Sequence, residues 1–370
     1  MNENKKFIDK ILWLMPVRKF RYFLRALFYN ILDLKEIKDN AANLTNELFD
    51  LRNEIRYISK NVNGNILFMK ESNYYEDIKK GGSYFLICKS ILSKKNINLL
   101  FTKYDPDIEI FYVFGDRQNI IQSKAKIKIF FTGEPVQVFR RDFNDNCIGL
   151  CDLSLGFNHI SNPNYIRFPL WILYNFNITE LNKDVVHKRI LEINNAKFEK
   201  TKFASLISNW GGANNLREHI YDAMLKIDKI SCPSKFLHND DSLKNDFEDN
   251  KIKYLRQFKF NICPENCIED GYITEKLFDA FNAGSIPVWN GDKNLEGDII
   301  NKNAVFYWQE NSKNENILKE IELLHKNDDL YNKFISQKRL NTDNAVEYIY
   351  GQIKLLHKKI EELLSSKFNL

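Results

Sequence analysis

The sequence has no uninterrupted run of about 20 apolar residues, so no membrane-spanning helix is expected. No small-residue cleavage site follows a clean apolar core, so no cleavable signal peptide is expected either. The six cysteines, Cys88, Cys147, Cys151, Cys232, Cys263 and Cys267, lack the pattern of a zinc site. Two pairs are spaced CxxxC, whereas zinc ribbons want CxxC pairs or interleaved histidines. Free thiols in a reducing compartment are the expectation, with no metal centre. There are no internal repeats and no low-complexity tract. The formal net charge is only +5 and its excess is local, which gives no reason to expect a nucleic-acid partner. What remains is an ordinary globular balance, 28% charged and 44% hydrophobic, over 370 residues. That length accommodates two domains with proper cores.

Residues 1–30 interleave Lys5, Lys6, Lys10, Arg18, Lys19, Arg21 and Arg25 with aromatic and aliphatic side chains. Pro16 divides this stretch into two short helical pieces. Such a segment fits peripheral contact with a membrane surface, or a helix packed on the protein's own core with its basic face in water. From Leu34 to Ile58 apolar residues recur at spacings of three and four: Leu34, Ile37, Ala41, Leu44, Leu48, Leu51, Ile55 and Ile58. This seam predicts a coiled coil, and hence a homo-oligomer through residues 34–58, with docking on the chain's own body as the alternative. The run NVNGN at 61–65 reads as a hinge.

Short strands are expected at Tyr84–Cys88, Leu99–Phe101, Ile110–Phe114, Ile127–Phe131 and Cys151–Phe157, with a helix around 118–124. The fourth strand runs into Thr132-Gly133-Glu134-Pro135. Open α/β sheets present functional side chains where strands end, so Glu134 is a candidate catalytic carboxylate, or else a turn carboxylate. A second α/β unit begins at Lys202: a strand, Gly211-Gly212, then a helix from 215 to 227 with Arg217 in its first turn. A cation beside a glycine-rich turn and a helix N-terminus is a reasonable phosphate ligand, or simply a solvated helix cation. Residues 238–251 read as a polar surface loop or a short helix edge.

The most informative stretch runs from Phe258 to Gly291. It reads as a strand (258–263), a polar loop, a helix (274–282) ended by Gly284, and a second strand (285–289), which is a βαβ unit. Glu265, Asn266, Tyr272, Glu275 and Lys276 gather near the start of that helix, where backbone N–H groups and the helix dipole favour anions. A strand at 304–308 and helices at 315–325 and 330–364 close the chain.

These residues resemble the bacterial α-1,3/1,4-fucosyltransferase family. The matching positions are Phe260, Glu265-Asn266, Gly271-Tyr272-Ile273-Thr274-Glu275-Lys276, Gly284, Ile286-Pro287 and Gly291. Two shorter sets agree: Thr132-Gly133-Glu134 with Leu155-Gly156-Phe157 and Arg167-Phe168-Pro169-Leu170, and Ser208-Asn209 with Arg217 and Tyr221-Asp222-Ala223. The resemblance spans roughly residues 80–345 and leaves out the first 60.

It implies an α/β fold of two Rossmann-like domains facing across a cleft (GT-B type), here with an N-terminal helical, coiled-coil extension. The expected organisation is a basic amphipathic segment (1–30), a heptad coiled coil (31–62), an acceptor-binding domain (63–180), a GDP-sugar-binding domain (195–345) and a C-terminal helix (346–370). It also implies inverting transfer of fucose from GDP-fucose to an acceptor oligosaccharide. Carried over by position, Glu134 is the general base, Arg217 and Lys276 the diphosphate cations, Glu275 the ribose ligand, and Asn266 and Tyr272 further donor contacts. No DxD-type motif stands in the expected place, so a divalent metal is not expected to be required. A place at the inner face of the cytoplasmic membrane, in lipopolysaccharide or capsule synthesis, fits this reading. The loop 264–270 is more acidic than the family pattern, which leaves open another GDP-sugar, such as a GDP-heptose. A non-catalytic coiled-coil scaffold with a degenerate transferase domain is the alternative of a different class.

Overall fold

The computed structural model of the chain describes residues 65–71, 83–102, 105–212, 215–310 and 313–370. The amphipathic segment, the heptad seam and most of the hinge expected from the sequence lie outside these residues. By its contacts the chain divides into a unit of residues 1–66 with 96–98 and a unit of residues 67–95 with 99–370. Everything that forms the site lies in the second.

The first sheet contains β1 (Asn65–Glu71), β2 (Ile97–Phe101), β3 (Ile108–Tyr112), β4 (Ile127–Phe131), β5 (Leu153–Gly156) and β6 (Tyr165–Arg167), in the order β2-β1-β3-β4-β5-β6. The second contains β7 (Lys202–Ser205), β8 (Ile230–Ser231), β9 (Phe258–Ile262), β10 (Ile286–Trp289) and β11 (Phe306–Tyr307), in the order β11-β10-β9-β7-β8. The registered pairs from β1 to β6 and throughout the second sheet are parallel. Parallel strands covered on both faces read as continuous apolar runs, and FKFNI and IPVW are wholly buried.

The helices are α1 (Ser83–Ser93), α2 (Arg117–Gln122), α3 (Val136–Phe139), α4 (Leu170–Asn175), α5 (Lys183–Asn194), α6 (Leu216–Met224), α7 (Ser242–Asn245), α8 (Lys251–Leu255), α9 (Glu275–Asn282), α10 (Glu315–Lys326), α11 (Asp328–Ile335) and α12 (Thr342–Phe368). In the second sheet the strand order reverses between β7 and β9. Open α/β sheets bind ligands at such a switch point, outside the carboxyl ends of the strands. The loop that leaves β7 carries Trp210 and leads into α6 with Arg217 in its first turn, and the loop that leaves β9 carries Glu265, Asn266 and Tyr272.

Two expectations need correction. Tyr84–Cys88 is not a strand but part of α1. Its buried residues Tyr84, Phe85, Ile87, Cys88, Ile91 and Leu92 follow helical spacing, while the aromatic and β-branched content had suggested a strand. The single helix expected over 330–364 is two helices. Between them Arg339 is buried and donates to the carbonyls of Ile193, Asn194 and Ala196, closing the carboxyl end of α5. Leu340 bridges Ile300 at the same place.

The long helix α12 packs against α1, α5, β4 and β6 of the first sheet. Ala345, Val346, Ile349, Ile353, Leu356, Ile360 and Leu364 form its buried stripe. The two sheets are further tied at α4 and α9, where the rings of Trp171 and Phe278 stack with centroids 4.9 Å apart. Arg167, at the end of β6, makes a two-pronged ion pair with Glu296 (2.7 and 3.0 Å), which also accepts from Trp171 Nε1 at 3.0 Å. Among the described residues no helix is long and apolar enough to cross a membrane.

Candidate active site

Glu134 leaves the carboxyl end of β4 in a tight turn. The Thr132 hydroxyl donates to the Glu134 carbonyl (2.8 Å) and accepts from its amide (3.1 Å), which fixes the backbone before Pro135 starts α3. The carboxylate is half-buried and reaches the other sheet's loops. Its Oε2 accepts from the Tyr272 hydroxyl at 3.2 Å and lies 3.5 Å from Asn266 Nδ2. Burial raises the Glu134 carboxyl above the ordinary glutamate range, and the charge of Glu275 adds to this. The Lys276 charge and the bonds from Tyr272 and Asn266 oppose it. A carboxylate held in this way is a stronger base than a solvated one.

Asn266 extends the contact to Arg217 on the second sheet's side. Its Oδ1 accepts from Arg217 Nη2 at 3.0 Å. Arg217, in the first turn of α6, is buried, and its other bonds go to the carbonyls of Trp210 (3.0 Å) and Pro264 (3.2 Å). The Trp210 ring lies 5.4 Å from its guanidinium carbon. These partners are neutral oxygens and a π-face, and burial lowers the guanidinium's pKa, with Glu265 opposing. A cation so placed has most to gain from an approaching anion.

Tyr272 is buried and packs on Phe157 with centroids 4.9 Å apart. The preceding Gly271 adopts φ +74°, and a Cβ there would stand 2.5 Å from the Phe157 carbonyl. Only glycine fits where the two loops meet this closely.

The start of α9 is already supplied with an anion. The wholly buried Glu265 carboxylate accepts from Thr274 N (2.9 Å), Thr274 Oγ1 (2.7 Å) and Lys276 Nζ (3.2 Å). Thr274 is the N-cap of α9. Glu265 therefore takes much of the anion-binding capacity that the sequence offers to a ligand, and Lys276 is left as the partly exposed cation. Burial pulls the Lys276 ammonium down, but Glu265, Glu275 and Glu134 together hold it above the usual lysine range. Glu275 is 3.6 Å from Lys276 and lines a separate cavity with Arg189, Arg256, Asp279 and Asn282.

The structure thus joins Glu134, Tyr272, Asn266 and Arg217 by direct contacts and sets Lys276 within their electrostatic reach. Glu275 stands to one side. Sequence reasoning missed the internal roles of Glu265 and Thr132, although both residues lie in the matching stretches, and missed Trp210. Trp210 ends the strand-like run before Gly211 and was legible only as an aromatic at a strand end.

The acidic loop has a structural explanation. Glu269 accepts from Asn158 Nδ2 (2.9 Å), and Asp270 pairs with His159 (2.7 Å). Its charges are engaged with the loop after β5 rather than turned toward a sugar. Asp240 accepts from Tyr254 (2.7 Å) and Ser242, and Asp241 pairs with His238. Among the described residues no group of three His, Cys, Asp or Glu side chains is placed to hold a metal ion, and the six cysteines are free thiols.

Comparison with known proteins converges on one family. Residues 197–353 match the family described as "Glycosyltransferase family 10 (fucosyltransferase) C-term". Residues 74–174 match "Alpha-(1,3)-fucosyltransferase FucT N-terminal domain". The chain is 26% identical over 275 residues to the alpha-(1,3)-fucosyltransferase FucT of Helicobacter pylori, an alignment that takes in 66% of this chain. It spans 54% of that relative's length. Among solved structures, an alpha1,3-fucosyltransferase superposes with a TM-score of 0.57 at 20% identity, over 81% of this chain and 91% of the other. The structure described as that enzyme with GDP-fucose superposes with a TM-score of 0.52 at 21% identity, over 80% and 91%. The shared fold is the two-sheet GT-B type.

Proposed function

The chain belongs to glycosyltransferase family 10, the fucosyltransferases, and on that premise we propose that it moves fucose from GDP-fucose to a hydroxyl of an acceptor glycan with inversion at the anomeric carbon. One observation carries the reading. A single run of contacts, Glu134–Tyr272–Asn266–Arg217, connects a carboxylate on one sheet to a buried cation on the other. The acceptor oxygen attacks the anomeric carbon from the side away from GDP, and Glu134 takes its proton. The bond from that carbon to the diphosphate oxygen breaks, its electron pair leaves with GDP, and Arg217 and Lys276 meet the growing negative charge. Two fixed cations supply what a divalent ion supplies in other transferases, so full activity is expected in excess chelator. Glu275 binds the ribose from the rim. An α-1,3 linkage, action at the inner face of the cytoplasmic membrane through residues 1–30, oligomerisation through residues 34–58, and a role in lipopolysaccharide or capsule synthesis complete the proposal.

Thermal-shift measurements with GDP, UDP and CDP and their sugars are the first test. Anything that binds the native state alone stabilises it by mass action. Selective stabilisation by GDP and GDP-fucose is expected; a preference for UDP ligands would overturn the reading.

A further inference from the structure

Three successive residues after β10, Leu295, Glu296 and Gly297, adopt a left-handed backbone, with φ of +47°, +56° and +60°. The first two carry a Cβ, for which that conformation is costly. Such a conformation persists only where the surroundings over-determine it, and it gathers at sites whose geometry matters. Leu295 is buried, and the turn delivers Glu296 to Arg167. The Glu296 side chain is only 5% exposed, so its charge is confined to the Arg167 guanidinium and the indole N–H of Trp171.

Arg167 reaches one group further. Its Nη2 also lies 3.4 Å from the Gly271 carbonyl, at the long end of a hydrogen bond. On the amide side of the same residue, the Gly271 N–H donates to Asp292 Oδ2 at 2.9 Å, and Asp292 Oδ1 accepts from the Asn294 amide at 2.9 Å. Gly271 is thus gripped at its carbonyl from the end of β6 and at its amide from the loop after β10, the loop that also carries Glu296. The fit leaves little slack, since a Cβ on Gly271 would stand 3.1 Å from Arg167 Nη2. The next residue is Tyr272, whose hydroxyl donates to Glu134. The groups set around Glu134 itself are others: Lys276 and Glu275 on α9, Tyr272, Asn266 and Cys267 on the loop before it, and Arg140 just after α3.

We propose that Arg167 and Asp292 are positioning residues of the transfer: from its two sides they fix Gly271, and so hold the Tyr272 hydroxyl on Glu134, with the turn at 295–297 locking Arg167 through Glu296. The inference rests on the reading of Glu134 as the base. Releasing Gly271 lets the hydroxyl swing off, and a carboxylate that loses a donor keeps its proton to higher pH. Charge acting through space predicts something else. Arg167→Lys keeps the charge and would leave Glu134 alone, while Asp292→Ala removes a negative charge and would make Glu134 easier to ionise.

The experiment follows kcat/KM against pH for transfer from GDP-fucose to the best used of the methyl glycosides and disaccharides of glucose, galactose and N-acetylglucosamine. In both Arg167→Lys and Asp292→Ala the acid limb is expected to rise by about one pH unit, the equivalent of a lost charge-assisted bond, while the high-pH plateau changes less than the rates on the limb. Added to Tyr272→Phe, either change should move the limb no further, because the hydroxyl it aims is already gone. Asp292 is half-buried, so its variant secures the test if Arg167→Lys folds poorly. A limb that stays in place or falls in folded Asp292→Ala, or that moves as far in the Tyr272→Phe background, overturns the proposal. Turnover that survives Glu134→Gln removes the base reading and this inference together. A limb that rises in Tyr272→Phe but in neither positioning variant removes this inference and leaves the base reading standing.

Discussion

The Tyr272 hydroxyl donates to Oε2 of Glu134 at 3.2 Å, although the two residues are 138 positions apart and belong to different sheets. The contact makes the protonation of the first sheet's carboxylate depend on the position of the loop between β9 and α9. Glu134→Gln keeps the shape and removes the carboxylate proposed as the base. Transfer is expected to fall by about 10²–10⁴-fold while GDP affinity by calorimetry is nearly retained. Near-normal turnover in this variant would remove Glu134 from the mechanism.

The same contact sets the pH dependence. Burial, helped by Glu275, lifts the Glu134 carboxyl, so its ionised form, the one the proposed mechanism uses, is lost on acidification at a higher pH than for a free glutamate. The acid limb of kcat/KM should lie correspondingly high. Tyr272→Phe deletes a bond that favours the ionised form, so the limb should move further up. A pH–rate profile of the variant that coincides with the unaltered protein's, or moves down, would show that the hydroxyl does not tune the base.

For the donor side, Arg217→Ala is expected to weaken GDP binding by about 1–3 kcal/mol, the worth of a charge-assisted contact. Lys276→Ala should weaken it in the same range, and should also lower the melting temperature. It strips a cation from the buried Glu265 carboxylate, which is 3.2 Å away. Glu265→Gln in the Lys276→Ala background should restore melting without restoring affinity. Recovery of both together would mean that Lys276 serves only the fold.

Asp279, one turn after Glu275 on α9, has its carboxyl pushed up to about 7, by burial first and by the Glu275 charge second, with Lys251 and Lys276 opposing. Its folded-state value lies above the unfolded one, so protonation favours the fold and stability declines as pH rises toward and through 7. Asp279→Asn should therefore raise the melting temperature at pH about 8, by something on the order of 1 kcal/mol, with the gain shrinking toward pH about 5. Melting curves that differ equally at both pH values would exclude this titration.

Much of the second sheet was legible because its signals are local. Phe258–Ile262 and Ile286–Trp289 are short apolar runs bounded by turn residues, and Thr274 with Gly284 marks the ends of the helix between them. What was not legible depends on distance along the chain. The strands Tyr165–Arg167 and Ile230–Ser231 are too short to show a period. Tyr84–Cys88 misled because aromatic and β-branched residues also fill helices that are buried on one side. In the site, the family resemblance pointed to Glu134, Arg217 and Lys276, whose residue types and order alone left turn-carboxylate and solvated-cation readings open. Neither could show that Glu265 is the helix's own counter-anion, or that Glu269 and Asp270 serve Asn158 and His159, because those partners lie on other loops.

The last turn of α12 ends against the amino ends of the first sheet's strands. Lys367 pairs with Asp152, just before β5, at 2.7 Å, and Lys126, just before β4, lies 5.2 Å from the centre of the Phe368 ring. Glu134 follows the carboxyl end of that same β4. The last turn of α12 accordingly lies at the opposite end of β4 from Glu134. Immobilisation through a label on the last turn of α12 should keep the side that carries Glu134 turned away from the support.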